Sequence, residues 1–210
     1  MRRLWRRFLV AVGIIKNPPR PVEHKPIEDR QVDNFCPDKY VDMYRKLWRE
    51  AKVTRVSDHV MKNIRKNRER YHVAEQVTGV PWFVIACIHN LEAGQSFTKN
   101  MVNGQRLDRV TTWVPKGLGP WTSWESSCVD AFAIKKQPKF WTLENTLYFL
   151  ERYNGTGYLR FHSDVNSPYL WSYTDQYTKG KYVSDGKWSN SAVSKQMGAV
   201  AVIKTLGIVL

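Results

Sequence analysis

The stretch Val80-Pro-Trp-Phe-Val-Ile-Ala-Cys-Ile-His-Asn-Leu-Glu-Ala-Gly-Gln-Ser-Phe97 decides the fold of this chain. Its composition predicts a short helix that is apolar on all sides, with Pro81 at the first helical position and Gly94 at the stop. A helix that is apolar all round is normally buried in the middle of a domain. We therefore expect a helical domain built around this segment, with one carboxylate, Glu92, at the C-terminal end of the central helix.

Glu92 is the candidate catalytic acid. A carboxyl group against apolar walls and the negative pole of a helix dipole resists ionisation, so its pKa is expected to be raised. Such a group stays protonated to higher pH and can act as a general acid. The alternative interpretation is that Glu92 simply reaches solvent where the helix ends, and this segment alone favours neither.

Beyond Glu92 the sequence predicts a polar β-hairpin. Asn103-Gly104 is a strong hairpin signal, because both residues tolerate the positive φ of a type I′ turn. Residues 109–114, Arg-Val-Thr-Thr-Trp-Val, have strand composition, and a run rich in proline and glycine then breaks the chain. We expect the hairpin to form one wall of a cleft, with Glu92 at its base.

The remaining sequence predicts mostly helix, so the expected fold class is mainly α with a small β element. Thr122-x-x-Glu125 is a capping-box pattern, and Thr142 is a good cap for the helix that follows. The expected helices cover residues 37–51, 57–77, 122–136 and 142–154, and a last helix starts at Ser189 or Ser191.

Eight short motifs occur in a fixed order along the chain. They are Val-Pro-Trp at 80–82, Ile-His-Asn-Leu-Glu at 88–92, Asn-Gly at 103–104, Val-Pro-Lys-Gly at 114–117, Trp-Glu-Ser-Ser at 124–127, Tyr-Asn-Gly-Thr-Gly-Tyr at 153–158, Ser-Pro-Tyr-Leu-Trp at 167–171 and Tyr-Thr-Lys-Gly-Lys-Tyr-Val-Ser-Asp-Gly at 177–186. This order resembles the lysozyme superfamily, in particular goose-type lysozymes and lytic transglycosylases. It resembles still more closely a group of phage and bacterial lysozyme-like murein hydrolases, over about residues 57–206.

The resemblance implies an α+β lysozyme-like fold and a peptidoglycan hydrolase, either a muramidase or a lytic transglycosylase. Such an enzyme cleaves the β-1,4 bond after N-acetylmuramic acid with a single glutamate, here Glu92, and neither a metal nor a cofactor is expected. Asn154 would hydrogen-bond substrate and Tyr153 would support Glu92, although a helix C-cap also explains Tyr-Asn-Gly. The other candidate substrate-binding residues are Asn103, Tyr169, Trp171, Tyr177, Thr178 and Lys179.

A second catalytic carboxylate is an open question at this level, since many glycosidases use two. The candidates are Asp108, Glu125 and Asp130. The capping box favours a structural role for Glu125, and Asp108 is either cleft-facing or an exposed residue beside a turn. The goose-type and transglycosylase relatives work with one essential glutamate, which removes the need for a partner. His89 lies one helical turn before Glu92, and packing is its favoured role.

Basic charge is concentrated at the N-terminal end of the chain. Residues 1–70 hold 19 Lys/Arg and 9 Asp/Glu, whereas residues 71–210 hold 14 and 10. We expect residues 1–37 to be a basic segment with a proline-rich linker, and residues 38–210 to be the catalytic domain. The apolar run at 8–15 is too short to span a bilayer, and it is typical of a signal, an anchor on anionic membrane or a helix that docks on a virion protein.

Two other function classes compete with the hydrolase. One is a non-catalytic glycan-binding or virion structural protein with the same fold, which the presence of Glu92 disfavours. The other is a nucleic-acid-binding protein, which only the net charge of +14 suggests, and no recognised binding motif supports it.

Three cysteines and five scattered histidines give no zinc signature and no expected disulfide. The expected partner is therefore peptidoglycan, and the expected location is the bacterial envelope or periplasm, or a phage virion.

Overall fold

A computed structural model describes residues 34–184 and 186–210, and within these ranges the chain is mainly helical, as expected. One antiparallel pair of strands accompanies the helices. In chain order the elements are α1 (Asp38–Glu50), α2 (Asp58–Lys66), α3 (Arg68–Thr78), α4 (Trp82–Ala93), α5 (Trp124–Ala133), α6 (Leu143–Asn154), α7 (Gly157–Phe161), α8 (Pro168–Trp171), β1 (Lys181–Ser184), β2 (Lys187–Ser189) and α9 (Ala199–Thr205).

The apolar helix α4 lies at the centre of the core, which confirms the predicted buried helix, although Pro81 is its N-cap and not its first residue. Every residue of α4 except Phe83 and Glu92 is buried. The helix packs against α3 on one side and against α6 and α9 on others. Burial of large apolar side chains contributes on the order of 1.5–3 kcal/mol each, so this segment anchors the domain.

The single helix expected over residues 57–77 is divided into α2 and α3 at Asn67. The Asn67 side chain donates to the Asn63 carbonyl at 2.9 Å, and its backbone N–H donates to the same oxygen at 3.0 Å. Asn67 therefore closes α2 and starts α3 with its own carbonyl, which accepts from the Arg70 N–H at 3.0 Å. Asparagine competes with the helical backbone in this way, and the apolar periodicity does not reveal the break.

Helix α5 begins one residue later than the capping-box prediction placed it. Ser123 is the N-cap, and its hydroxyl accepts from the Ser126 N–H at 3.1 Å, while the Ser123 N–H donates to the Ser126 hydroxyl at 3.3 Å. The reciprocal cap therefore uses two serines rather than Thr122 and Glu125. The prediction that Glu125 is a capping residue was wrong by one position, and this leaves its carboxylate for another partner.

The hairpin expected around Asn103-Gly104 is present only as a turn. One isolated bridge joins Lys99 to Arg106, and residues 109–114 do not form the expected strand. The two strands that the structure describes lie instead at residues 181–189, where β1 and β2 pair antiparallel. They flank an Asp-Gly pair in the sequence, which is the same type of hairpin signal as Asn-Gly. The last helix, expected from Ser189 or Ser191, begins only at residue 199, because Ser189 belongs to β2 and residues 190–198 form neither helix nor strand.

A side chain explains why residues 109–114 are not a strand. The backbone N–H groups of Thr112 and Trp113 donate to Gln105 Oε1, at 2.9 and 3.0 Å. These donors are thus bound within the loop and do not pair with a neighbouring strand. Strand composition describes how side chains pack on a sheet, and it does not predict competition of this kind.

The folded body includes residues that the domain prediction placed in the N-terminal segment. Phe35 and Cys36 are 7% and 3% exposed, and the Cys36 N–H donates to Asn145 Oδ1 of α6 at 3.0 Å. The predicted signal, anchor or docking helix falls on residues 1–16, outside the described ranges. Within those ranges, no helix has both the length and the apolar character required to cross a bilayer.

Candidate active site

The C-terminal end of α4 presents Glu92 through a sharp left-handed turn. Gly94 has φ +57° and Gln95 has φ +63°, a value that is uncommon for a residue with a side chain. The Gln95 amide donates to the Val60 carbonyl at 3.1 Å and holds this turn against α2. Backbone strain of this kind persists only where the surroundings fix it, and it clusters at functional sites.

Glu92 is open to solvent on one side and surrounded by protein on the other. The Tyr169 hydroxyl donates to Glu92 Oε1 at 3.0 Å. Desolvation by the surrounding protein raises the pKa of Glu92, and the Tyr169 hydroxyl and the positive charge of Lys135 lower it by a smaller amount. The expected direction of the pKa shift is therefore found, and desolvation is its main cause.

Tyr153 lies behind this pair and does not support Glu92 by a direct hydrogen bond. Its hydroxyl donates to the Met101 carbonyl at 3.1 Å, and the Lys135 ammonium lies 4.9 Å from its ring centroid. Burial raises the pKa of Tyr153, and the nearby charge of Glu92 raises it further. The hydrogen bond to Glu92 is thus made by Tyr169, a residue that we expected to bind substrate, and not by Tyr153, which was predicted to support Glu92.

The turn at Asn103-Gly104 lies against the end of α4 and forms one side of the site. Buried Asn100 organises it, because Asn100 Oδ1 accepts from the N–H groups of Val102 and Asn103 at 3.0 and 2.9 Å. Gly104 has φ +76°, and a Cβ added there would lie 3.8 Å from the Glu92 carbonyl oxygen. The turn thus reaches Glu92 although the strands of the predicted hairpin are missing.

Asn103 also ties this turn to the loop that follows. Its side-chain amide donates to the carbonyls of Trp113 and Pro115, at 3.1 and 3.4 Å. The amide donors are therefore already used within the protein. These bonds bring Trp113, ten residues further along the chain, to the same side as Glu92.

A groove of about 390 Å³ lies over Glu92. Trp113 is 63% exposed on its wall, a large apolar ring that is available for contact with a ligand. Three of the lining side chains are basic, and Glu92 is the one acidic side chain among them. The lining residues are Glu92, Lys99, Asn103, Gly104, Gln105, Arg106, Arg109 and Trp113.

The other candidate carboxylates lie outside the groove lining, although Asp108 pairs with an arginine that belongs to it. Glu125 is bound by two nitrogens of Arg70, at 2.7 and 3.2 Å, and this pair joins α3 to α5. Asp108 is fully exposed and paired with Arg106, whose guanidinium lowers the pKa of Asp108. Asp130 accepts from the Trp121 indole at 2.7 Å. Among the described residues, none of these three carboxylates lines the groove with Glu92.

Two aromatic residues predicted to bind substrate belong to the core instead. Trp171 is 1% exposed, so its ring has no face free to stack on a sugar. Tyr177 is 9% exposed, and its hydroxyl donates to the Gly180 carbonyl at 3.2 Å and accepts from the Ser194 N–H at 3.2 Å. The aromatic richness of this part of the chain therefore serves packing, which composition alone does not separate from ligand binding.

Asn154, Thr178 and Lys179 are exposed, so their predicted contacts with substrate stay open. Asn154 is the last residue of α6, and none of the three lines the groove over Glu92. Trp113, Arg106 and Arg109 were not among the candidates, although Arg109 and Trp113 lie in the run to which strand composition was assigned and Arg106 lies just before it. The sequence signal that could have identified them is a tryptophan and several basic residues within a polar segment rich in turn-forming residues.

His89 is a packed core residue, as favoured from the sequence. It is fully buried, and its Nδ1 lies 3.1 Å from the Tyr71 hydroxyl. Its ring centroid lies 4.6 Å from those of both Phe97 and Trp124. Burial lowers the pKa of His89 to about 4, which keeps the imidazole neutral near pH 7.

All three cysteines, Cys36, Cys87 and Cys128, are buried with free thiols. Over residues 34–184 and 186–210, no group of His, Cys, Asp or Glu side chains is arranged to hold a metal ion.

Comparisons of the chain with protein-family models, with curated proteins and with solved structures find no match.

Proposed function

We propose that this protein cleaves the glycan strands of peptidoglycan at the β-1,4 bond after N-acetylmuramic acid. The observation that carries the proposal is a carboxyl group of raised pKa, Glu92, at the floor of an open groove with an exposed tryptophan on its wall. A protonated carboxyl group can donate to the leaving oxygen, and an aromatic face suits the apolar face of a sugar ring. The proposal includes the lysozyme-like fold and action at the bacterial envelope or from a virion.

The reaction begins with transfer of the Glu92 proton to the glycosidic oxygen, and the bond between that oxygen and the sugar carbon breaks. The leaving sugar departs as an alcohol, and an oxocarbenium-like sugar remains. Either water or the sugar's own C6 hydroxyl then attacks this carbon, and the Glu92 carboxylate takes up the proton that the nucleophile loses. Hydrolysis and 1,6-anhydro formation thus use the same side chain and differ only in the nucleophile.

Mass analysis of the soluble products from purified sacculi tests the proposal. Reducing N-acetylmuramic acid ends identify a muramidase, and 1,6-anhydro ends, lighter by one water, identify a lytic transglycosylase. Sacculi treated with the Glu92→Gln variant provide the matched control. If the wild-type protein releases no glycan fragments from sacculi, the proposal is overturned and the non-catalytic glycan-binding alternative takes its place.

Replacing Tyr169 with phenylalanine should move the alkaline limb of activity to higher pH. The variant loses the hydroxyl that donates to Glu92 Oε1, so the carboxylate is less stabilised and the pKa of Glu92 rises further. Activity depends on protonated Glu92, so we expect the limb to move to higher pH. The pH profile of kcat/KM, with a ¹³C-NMR titration of the Glu92 carboxyl carbon, measures the shift.

Tyr153→Phe is the matched control for this shift, because its hydroxyl donates to Met101 and not to Glu92. It should leave the limb where it is in the wild type. An alkaline limb that stays in place or moves down in Tyr169→Phe would show that the Tyr169 hydroxyl does not set the ionisation of Glu92.

Trp113→Ala should raise KM for peptidoglycan oligomers about tenfold, with a smaller change in kcat. A large exposed aromatic ring that stacks on a ligand contributes on the order of 1–2 kcal/mol, and 1.4 kcal/mol corresponds to a factor of ten. Trp113→Phe keeps a ring and should recover most of the affinity. Phe161, which is 67% exposed and outside the groove, gives the control variant Phe161→Ala. Equal effects of the two alanine variants would remove Trp113 from the binding surface.

A further inference from the structure

The loop beside Glu92, residues 98–121, is predominantly basic. Residues 98–121 contain four basic side chains, Lys99, Arg106, Arg109 and Lys116, and one acidic side chain, Asp108. Three of the basic side chains line the groove. A concave surface in which one sign of charge predominates concentrates ligands of the opposite sign. The groove therefore favours an anionic ligand over a neutral one.

The three basic side chains in the groove differ in how far they are already paired. Arg106 is held by both oxygens of Asp108, which leaves little of its charge unmatched. Arg109 is more loosely associated with the same carboxylate, with 3.8 Å between Arg109 Nε and Asp108 Oδ1. Lys99 forms no ion pair with any described residue. Lys99 and Arg109 are thus the cations with free donors.

We propose that Lys99 and Arg109 bind the carboxylates of the peptide stems on the glycan strand, and so select stem-bearing peptidoglycan over uncharged β-1,4 glycans. This inference rests on the proposed function. Stem peptides branch from the muramic acid residues and end in carboxylates, whereas chitin-type strands carry none. Lysine and arginine form charge-assisted hydrogen bonds with carboxylates, and an arginine can do so with two nitrogens. The Trp113 ring and these two cations line the same groove as Glu92, so one strand can contact all of them.

Binding by the inactive full-length protein separates this inference from catalysis. The probes are soluble peptidoglycan oligomers with free stem carboxylates, and the same oligomers after amidation of those carboxylates. Calorimetry with Glu92→Gln at low salt should give about five- to tenfold tighter binding of the free-carboxylate form, since exposed charged pairs contribute modestly. The preference should fall as salt rises, because exposed charges are screened.

Adding Lys99→Gln and Arg109→Gln to this variant should abolish the preference and leave the affinity for the amidated oligomer unchanged. The control adds Lys46→Gln and Lys62→Gln, which remove the same charge from exposed positions on α1 and α2 and should keep the preference. Equal affinity of the unsubstituted groove for both oligomers overturns the inference. So does a parallel loss of both affinities in the groove variant, which would indicate packing rather than charge.

The outcomes for the inference and for the proposed function are distinguishable. Cleavage of sacculi without any preference for free carboxylates refutes the inference and leaves the hydrolase in place. Absence of both cleavage and binding, together with salt-sensitive binding of a DNA oligonucleotide, refutes both. In that case the basic groove would bind the phosphates of a nucleic acid, and the protein would belong to the nucleic-acid-binding class that only the net charge suggested.

Discussion

Glu92→Gln is expected to lower turnover of peptidoglycan by about 10²–10⁴-fold or more, because glutamine keeps the shape of the side chain and cannot supply a proton. Glutamine also keeps an oxygen that can accept from the Tyr169 hydroxyl, which donates to Glu92 Oε1 in the wild type. The fold and the groove should therefore persist, as the melting temperature and oligomer binding would show. Dye release from labelled sacculi measures the loss, and near-wild-type release by this variant would refute the assignment of Glu92 as the acid.

The single-carboxylate mechanism is tested by matched changes at the other two candidates. Asp108→Asn removes an exposed carboxylate outside the groove lining and should keep turnover close to wild type. Glu125→Gln weakens the paired contact with Arg70, so we expect a lower melting temperature with turnover preserved. A large rate loss in either variant without loss of stability would make that residue a second catalytic carboxylate.

Glu151→Gln is expected to stabilise the protein progressively as pH rises. Glu151 on α6 is 2% exposed, and its Oε1 has no hydrogen-bond partner among the described residues. Burial raises the pKa of Glu151 from 4.5 to about 8. The folded protein therefore holds a proton that the unfolded chain releases above pH 4.5, and this difference costs stability.

The pH window for this effect follows from the two pKa values. Below about pH 4.5 the carboxyl group is protonated in both states, so the wild type and Glu151→Gln differ only in packing and hydrogen bonding. Between 4.5 and about 8 the variant should gain up to about 1.4 kcal/mol per pH unit relative to the wild type, and the difference should then level off. Urea unfolding at pH values from 4 to 9 measures the difference. A gap that stays constant across this range would mean that Glu151 titrates normally in the folded protein.

The sequence predicted the central helix and the candidate acid because both depend on local features. The apolar composition of residues 82–91 decides burial, and Gly94 decides where α4 ends and hence where Glu92 is presented. The Thr142 cap of α6 was predicted for the same reason, since its hydroxyl accepts from the N–H of Asn145, three residues away. Helix periodicity and caps act within one or two turns, so a single sequence displays them.

The hydrogen-bond partners within the site could not be predicted from local sequence features. Tyr169 binds Glu92 across 77 residues of sequence, and Arg70 binds Glu125 across 55. Residues 109–114 have strand composition, but the Trp113 N–H donates to the Gln105 side chain instead of to a neighbouring strand. Trp113 is therefore exposed on a loop and is not part of a sheet. Polar pairs of this type form only after the helices have packed and brought distant residues together.

The sequence by itself thus determined a mainly helical domain, its buried centre and the position of one carboxylate at the end of α4. Only the tertiary structure decided which tyrosine binds that carboxylate, which aromatic ring faces the groove and which cations surround it. The physical reason is that burial follows from the local pattern of apolar residues, which the sequence shows directly. A hydrogen bond or ion pair, in contrast, forms only between groups that the packed helices bring to within about 3 Å of each other, and these groups can be far apart in the sequence.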